Sequence, residues 1–149
     1  MARGPCGRRR YRERRHHRRL TLERRRVSSG GPWEARFGYS RATVAGDMAF
    51  VSGTTDAGPD GRSLHGGDPA GQARAIFGII ERALGEAGFA LTDVVRTRIF
   101  VTDRNNIAPV AEVQGELFGE IRPASSAVVV KALIEPSLLV EIEVDARRG

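Results

Sequence analysis

Apolar and polar positions change rhythm several times between residues 41 and 144, and each change marks an element. Arg41 to Ala45 and Met48 to Ser52 read as two short strands, joined by Gly46 and Asp47, a pair that tolerates the left-handed backbone of a tight hairpin. Asp56, Gly58, Pro59, Asp60, Gly61, Gly66 and Gly67 then punctuate a loop, and Asp68 with Pro69 supplies a helix cap and a first-turn proline. Ala73, Ile76, Phe77, Ile80, Leu84 and Ala87 recur at spacings of three and four, with Arg74, Glu81, Arg82 and Glu86 between them, so one stripe of this helix is apolar until Gly88 ends it.

Val94 to Thr102 is rich in β-branched residues and predicts a strand, with Val95, Thr97, Ile99 and Val101 on one face and Arg96, Arg98 and Phe100 on the other. Ile107, Val110, Ala111, Gln114, Leu117 and Phe118 mark a second helix. Ser126 to Leu133 and Leu138 to Val144 close the chain as strands, the latter alternating Val140, Ile142 and Val144 with Glu141 and Glu143. The order is ββαβαββ, an α+β domain whose two helices cover one face of a mixed sheet. The other face is left for something else to hide, which points to oligomerisation.

Composition changes this picture at one end only. The 149 residues hold 24 Lys and Arg against 18 Asp and Glu, a net charge of +6. Residues 1–26 account for twelve arginines and two acids, a net +10, so the remainder carries −4. The run from Arg8 to Arg19 has too few apolar side chains to offset the entropy of ordering it. Residues 1–33 are therefore expected to form a disordered, arginine-rich tail, and 37–146 the folded domain. Such a tail would bind nucleic acid only weakly and without sequence preference, if at all.

No run approaches the roughly eighteen apolar residues of a membrane span, and no apolar signal core follows the first positive charges, so no membrane partner and a cytoplasmic location are expected. Cys6, His16, His17 and His65 cannot supply a disulfide or a closed structural zinc site within one chain. No phosphate-cradling glycine motif occurs. The expectation is a protein without metal or cofactor.

Three places carry candidate chemistry. Ser52, Gly53, Thr54 and Thr55 form a small polar turn after a strand, where backbone N–H groups could meet an anion or carbonyl oxygen; a turn that merely needs small residues is the plain alternative. Glu141 and Glu143 share one strand face, where burial would raise a carboxyl pKa toward acid–base work, although pairing with Arg96 and Arg98 would make them structural. Ser125 and Ser126 follow Pro123 without a nearby histidine or nucleophile-elbow glycines, which disfavours a serine hydrolase.

Taken together, several short motifs resemble the Rid (YjgF-type) family of reactive-intermediate deaminases, some of whose members are also labelled endoribonuclease L-PSP. They are Gly38 to Ala42, Gly46–Asp47, Phe50 to Gly53, Gln72 to Arg74, Ala87–Gly88 through Val95, Val101 to Asp103, Phe118–Gly119, Arg122 to Ala124, and Val140 to Glu143. The resemblance implies a chorismate-mutase-like fold and a homotrimer with a central barrel, with a small-molecule ligand in each intersubunit cleft. It implies hydrolysis of enamines or imines such as 2-aminoacrylate to ammonia and a 2-keto acid, without cofactor. By position, Glu141 would be catalytic, holding or activating the water, with Tyr39 lining the cleft and Gly53 offering backbone contacts.

The departures bear on substrate. The family's carboxylate-clamping arginine is replaced by Ser125, its usual asparagine by Ala111, and a polar strand residue by Val129. A serine offers one hydrogen bond and no charge, so the resemblance implies altered preference unless Arg122, Arg41 or a neighbour's arginine substitutes. The competing readings are a non-catalytic ligand-binding or regulatory trimer and, last, a ribonuclease or RNA binder, which the −4 charge of the globular part disfavours.

Overall fold

The hairpin and helix signals sit on a six-stranded sheet. A computed structural model describes residues 23–149. In chain order the elements are β1 (Arg24–Val27), α1 (Pro32–Phe37), β2 (Ala42–Ala45), β3 (Met48–Thr54), α2 (Pro69–Ala87), β4 (Val94–Val101), α3 (Ile107–Phe118), β5 (Ala124–Val129) and β6 (Val140–Arg147). The strands lie in the order β1-β2-β3-β6-β4-β5. Neighbours run antiparallel except β4 and β5, which are parallel. Gly46, at φ 62°, makes the β2–β3 turn.

Both long helices pack on one face. The Asp68 carboxylate accepts from the Gly71 N–H at 2.9 Å and opens α2, with Pro69 at its first turn. Gly88, at φ 81°, closes it, and the Phe89 N–H reaches back to the Leu84 carbonyl at 2.8 Å. Ile76, Phe77, Ile80 and Leu84 of α2 are fully buried against Val51, Ile99, Val101, Val140, Ile142 and Val144 of the sheet. Phe77 meets Phe118 of α3 edge-on, with ring centroids 5.4 Å apart.

Four sequence expectations need correction. The predicted tail reached residue 33, yet residues 24–27 form the edge strand β1 and residues 32–37 the short helix α1. Order there comes from long-range contacts that local composition does not register. β1 pairs with β2 from Arg24 opposite Ala45 to Val27 opposite Ala42. Arg25 donates to the Glu86 and Ala87 carbonyls at the end of α2, at 3.1 and 2.5 Å, and Val27 is buried. Residues 1–22, and with them the nucleic-acid expectation, lie outside the described residues.

Val95 is exposed rather than inward, because the β4–β6 register shifts between Val94 and Arg96 and turns Val94 to the core instead. In α3 the inward residues are Val110, Val113 and Phe118, while Ala111 and Leu117 face out. The last two strands are Ala124–Val129 and Val140–Arg147 rather than 126–133 and 138–144, with an irregular segment between them. β5 is exposed along its whole length. The face opposite the helices carries exposed Phe50 and Val128, the kind of bare apolar surface that association hides.

Candidate functional site

Strand alternation builds the site from β6. Val140, Ile142 and Val144 are buried beneath the helices, so Glu141, Glu143 and Asp145 stand on the open face. Opposite them on β4, Arg98 binds Glu143 at 3.0 Å and Asp145 at 3.3 Å, and Arg96 approaches Asp145 at 3.9 Å. The arginine pairing that the sequence allowed is therefore real for Glu143 and leaves Glu141 aside. Among the described residues Glu141 makes no hydrogen bond or ion pair.

The polar turn after β3 comes up against that free carboxylate. The β3–β6 register breaks between Val51 and Thr54, which lets the Ser52–Gly53 backbone bulge toward Glu141. A Cβ placed on Gly53 would overlap the Glu141 Oε1 and lie 3.1 Å from its carboxyl carbon. Only a glycine permits this approach without moving Glu141. Gly53, Glu141 and Glu143 line a concavity of about 300 Å³ with Phe100, Val130, Ala132 and Leu133. Its walls combine apolar side chains with two carboxyls, of which Glu143 is held by Arg98.

The electrostatics follow from those positions. Burial pushes the Glu141 carboxyl above its ordinary range, Glu143 beside it adds to the rise, and Arg41 works against both. Arg41 sits behind the turn, its Nη2 donating to the Ser52 carbonyl at 3.1 Å and the Gly53 carbonyl at 2.8 Å. Burial lowers the Arg41 pKa from its usual value, opposed by Tyr39, Glu34 and Glu141. Its Nε is buried without a hydrogen-bond partner among the described residues. The turn itself is internally bonded: Ser52 Oγ donates to the Ser40 carbonyl at 2.7 Å and Thr54 Oγ1 to the Ser52 carbonyl at 2.8 Å.

Tyr39 follows Gly38, which ends α1 at φ 72°, and the residue is 45% exposed. The helix that delivers it is pinned by buried Glu34. That carboxylate accepts from Ser28 Oγ at 2.6 Å and from the Ser29 N–H at 2.8 Å and hydroxyl at 2.5 Å. Burial opposes its ionisation, but these donors and Arg41 outweigh it and hold the Glu34 pKa below the ordinary value.

Ser125 and Arg122 lie elsewhere. Ser125 pairs with Thr97 of β4, whereas Glu141 pairs with Phe100, three residues along and on the other face. The Thr97 hydroxyl lies 2.8 Å from both Ser125 Oγ and Gln114 Oε1, and Gln114 Nε2 donates to Ser125 Oγ at 3.2 Å. Arg122 adopts a left-handed backbone at φ 51°. Its N–H reaches the Phe118 carbonyl at 2.8 Å and its Nε the Gly119 carbonyl at 3.0 Å, closing α3. A single chain thus brings Gly53 and Glu141 together, with Arg41 bonded to the Gly53 carbonyl and Tyr39 beside Arg41, and keeps Ser125 and Arg122 apart from them.

Sequence reasoning missed the cleft wall from Val130 to Leu133. A polar network holds the segment that follows it. Gln72 Nε2 donates to the Ser137 carbonyl at 2.9 Å, and the Leu139 N–H donates to Gln72 Oε1 at 2.8 Å. Buried Asp56 ties the preceding loop through Ser63 Oγ at 2.8 Å and the His65 N–H and Nδ1, both at 3.0 Å. A buried glutamine in the apolar stripe of α2 was the available signal. Among the described residues no three His, Cys, Asp or Glu side chains converge as a metal site, and no helix is long and apolar enough to cross a membrane.

A six-stranded mixed sheet backed by two long helices is a fold shared with several known proteins. The family model described as Endoribonuclease L-PSP matches residues 32–148. A crystal structure from Mycobacterium tuberculosis, described as a member of the YjgF/YER057c/UK114 family, is 49% identical with a TM-score of 0.76, covering 85% of this chain and all of that one. An uncharacterized protein of Streptomyces coelicolor is 40% identical over 84% of this chain and 92% of its own. The 3-aminoacrylate deaminase RutC of Acinetobacter baylyi is 36% identical over 70% of this chain and 82% of its own. The chain belongs to the endoribonuclease L-PSP family, the YjgF/Rid proteins.

Proposed function

We propose that the protein is a cofactor-free hydrolase of enamines or imines whose preferred substrate lacks the small carboxylate of amino-acid-derived imines. The observation that carries this reading is the half-buried Glu141, unpaired among the described residues and facing Gly53 in a concavity shared with Phe100, Val130 and Leu133. A carboxyl whose pKa is raised by burial is a stronger base once ionised, suited to take a proton from water and return it. Water adds to the C=N carbon as Glu141 accepts one of its protons and passes it to the imine nitrogen, giving a neutral carbinolamine. Glu141 then takes the carbinolamine hydroxyl proton and delivers it to nitrogen, so that the C–N bond breaks, ammonia leaves and the carbonyl remains. Backbone dipoles of the Ser52–Gly53 turn face the atoms where charge changes.

The relative named 3-aminoacrylate deaminase supports the reaction class. Ser125 argues against an unaltered substrate, because its hydroxyl is engaged with Thr97 and Gln114 and carries no charge. Losing a charged anchor weakens a buried carboxylate contact by about 2–5 kcal/mol. We place the complete site between copies of the chain in a homotrimer. The opposite-face placement of Ser125 and Glu141 and the exposed Phe50 and Val128 support that assembly.

Ammonia release from freshly generated 2-iminopropionate, 2-aminoacrylate and neutral imines tests the reading. Turnover of neutral imines that Glu141→Gln abolishes is expected, with the two carboxylated substrates slower. Ordinary efficiency toward the carboxylated pair would overturn the altered preference. The second reading, a ligand-binding trimer without turnover, is favoured by the internal engagement of Ser125. It predicts that neither the natural chain nor Ser125→Arg releases ammonia from any of these imines.

A further inference from the structure

The cation that the Ser125 side of the fold lacks has a counterpart on the Glu141 side. Arg41 stands just ahead of β2, and its carbonyl accepts from the Ser52 N–H at 3.0 Å, so the two segments are locked in register. Its Nη2 then reaches forward to two successive carbonyls, Ser52 and Gly53, at the one irregularity of the β3–β6 ladder. A bulge is held by whatever bonds its displaced peptides, and here those bonds are charge-assisted. Between those two peptides, a Cβ on Gly53 would meet the Glu141 carboxylate.

We propose that Arg41 is a positioning residue of the Glu141 cleft: it clamps the bulged Ser52–Gly53 turn from behind and stands as the fixed cation through which that turn presents its backbone to a ligand. A carbonyl bonded to a guanidinium polarises its peptide, which makes the N–H of the same peptide a stronger donor. The Ser52 carbonyl belongs to the peptide whose N–H is that of Gly53. A ligand atom bearing partial negative charge therefore meets a donor strengthened by Arg41 without touching the guanidinium. This division of labour suits a ligand with a carbonyl or imine group rather than one needing a direct arginine clamp. Here the inference rests on the proposed hydrolase reading, while the clamp itself does not.

Among the described residues, the charged groups around Glu141 come from three directions. They are Glu143 on its own strand, which Arg98 of β4 already holds at 3.0 Å, with Arg96 farther along β4 on Asp145. From the chain ahead of β2 come Arg41, Tyr39 and the hydrogen-bonded Glu34. Arg41 is the cation of that set that no carboxylate holds at ion-pair distance among the described residues.

The test uses the full chain and two variants, Arg41→Met and Arg41→Lys, checked for folding by circular dichroism. Glu141 is followed by carboxyl NMR titration, assigned by loss of its signal in Glu141→Gln, and the turn by amide hydrogen exchange at Ser52, Gly53 and Thr54. Arg41→Met is expected to raise the Glu141 midpoint by about one pH unit, the low end for removing a nearby opposite charge. Arg41→Lys keeps the charge but not the fork, so the midpoint stays near the natural value while turn amides exchange about tenfold faster. If Arg41→Met fails to fold, the Arg41→Lys exchange result decides. An unmoved Glu141 midpoint in folded Arg41→Met, or unchanged turn protection in Arg41→Lys, overturns the proposal. Neither readout needs turnover, so a chain that hydrolyses no imine leaves the clamp supported and only the hydrolase reading lost.

Discussion

At the scale of single residues the cleft is a contact between a glycine and a carboxylate, and its tolerance to change is lopsided. The Cβ of Gly53→Ala would strike the far end of a flexible side chain rather than backbone, so the fold should accommodate it for less than about 1 kcal/mol. The carboxylate has to swing away to make room. Unchanged thermal stability with lost ligand binding or turnover is therefore expected, read by calorimetry beside the activity assay.

Glu141 itself predicts a pH dependence of the opposite sign to most carboxylates. Burial holds its folded pKa above the ordinary carboxylate value of 4.5, so the folded chain holds the proton more tightly than the unfolded one. Stability from this group is fully present below the unfolded pKa and is lost as pH rises through the folded value. Glu141→Gln removes that loss, and denaturant melts should show the variant gaining on the natural chain as pH rises above 4.5. Glu34 has the reverse sign, since its lowered pKa gives stability present above 4.5 and lost as pH falls through the folded value.

Elements are held by partners far away in the chain, and β1 shows this most clearly. The edge strand has a basic, polar sequence, with Val27 as its one buried side chain. Its stability comes from the ladder to β2 and from Arg25 on the last carbonyls of α2, where a cation also suits the helix dipole. Removing residues 1–33 strips that ladder, uncovers the β2 edge and breaks the Glu34 pin, so a fall in melting temperature is expected against the full chain. Arg25→Ala alone should lower stability by about 0.5–1.5 kcal/mol, the net worth of a hydrogen bond or two. A melting curve indistinguishable from the natural chain would assign β1 no stabilising part.

For the whole molecule, the unresolved account is the bare sheet face. Phe50 and Val128 expose apolar area opposite the helices, and β5 runs exposed along its whole length. Association of three copies would bury that surface, and light scattering should return a mass three times the 16.2 kDa of the chain. Val128→Arg puts a charge into the same surface and should shift the assembly toward monomer while leaving the helix-covered core intact. A monomeric natural chain at working concentration would remove both the trimer and the shared cleft.

Local signals in the sequence determined most of the fold. The Gly46–Asp47 turn, the Asp68–Pro69 cap, the apolar stripe of α2 and the alternation of β6 each reflect short-range sterics or a face that must be buried, and all four are present in the structure. Family membership was legible for the same reason, because its motifs sit at the turns and strand ends that these constraints fix. The β4 bulge, the ordering of residues 24–37, the Val130–Leu133 wall and the Arg41 clamp were decided only in three dimensions. Each depends on a register between strands or on a bond to a residue far along the chain, and no local pattern of side chains encodes such a distance. Sequence alone could name Glu141 as a candidate; the pairing of Glu143 with Arg98, which leaves Glu141 free beside Gly53, belongs to the tertiary structure.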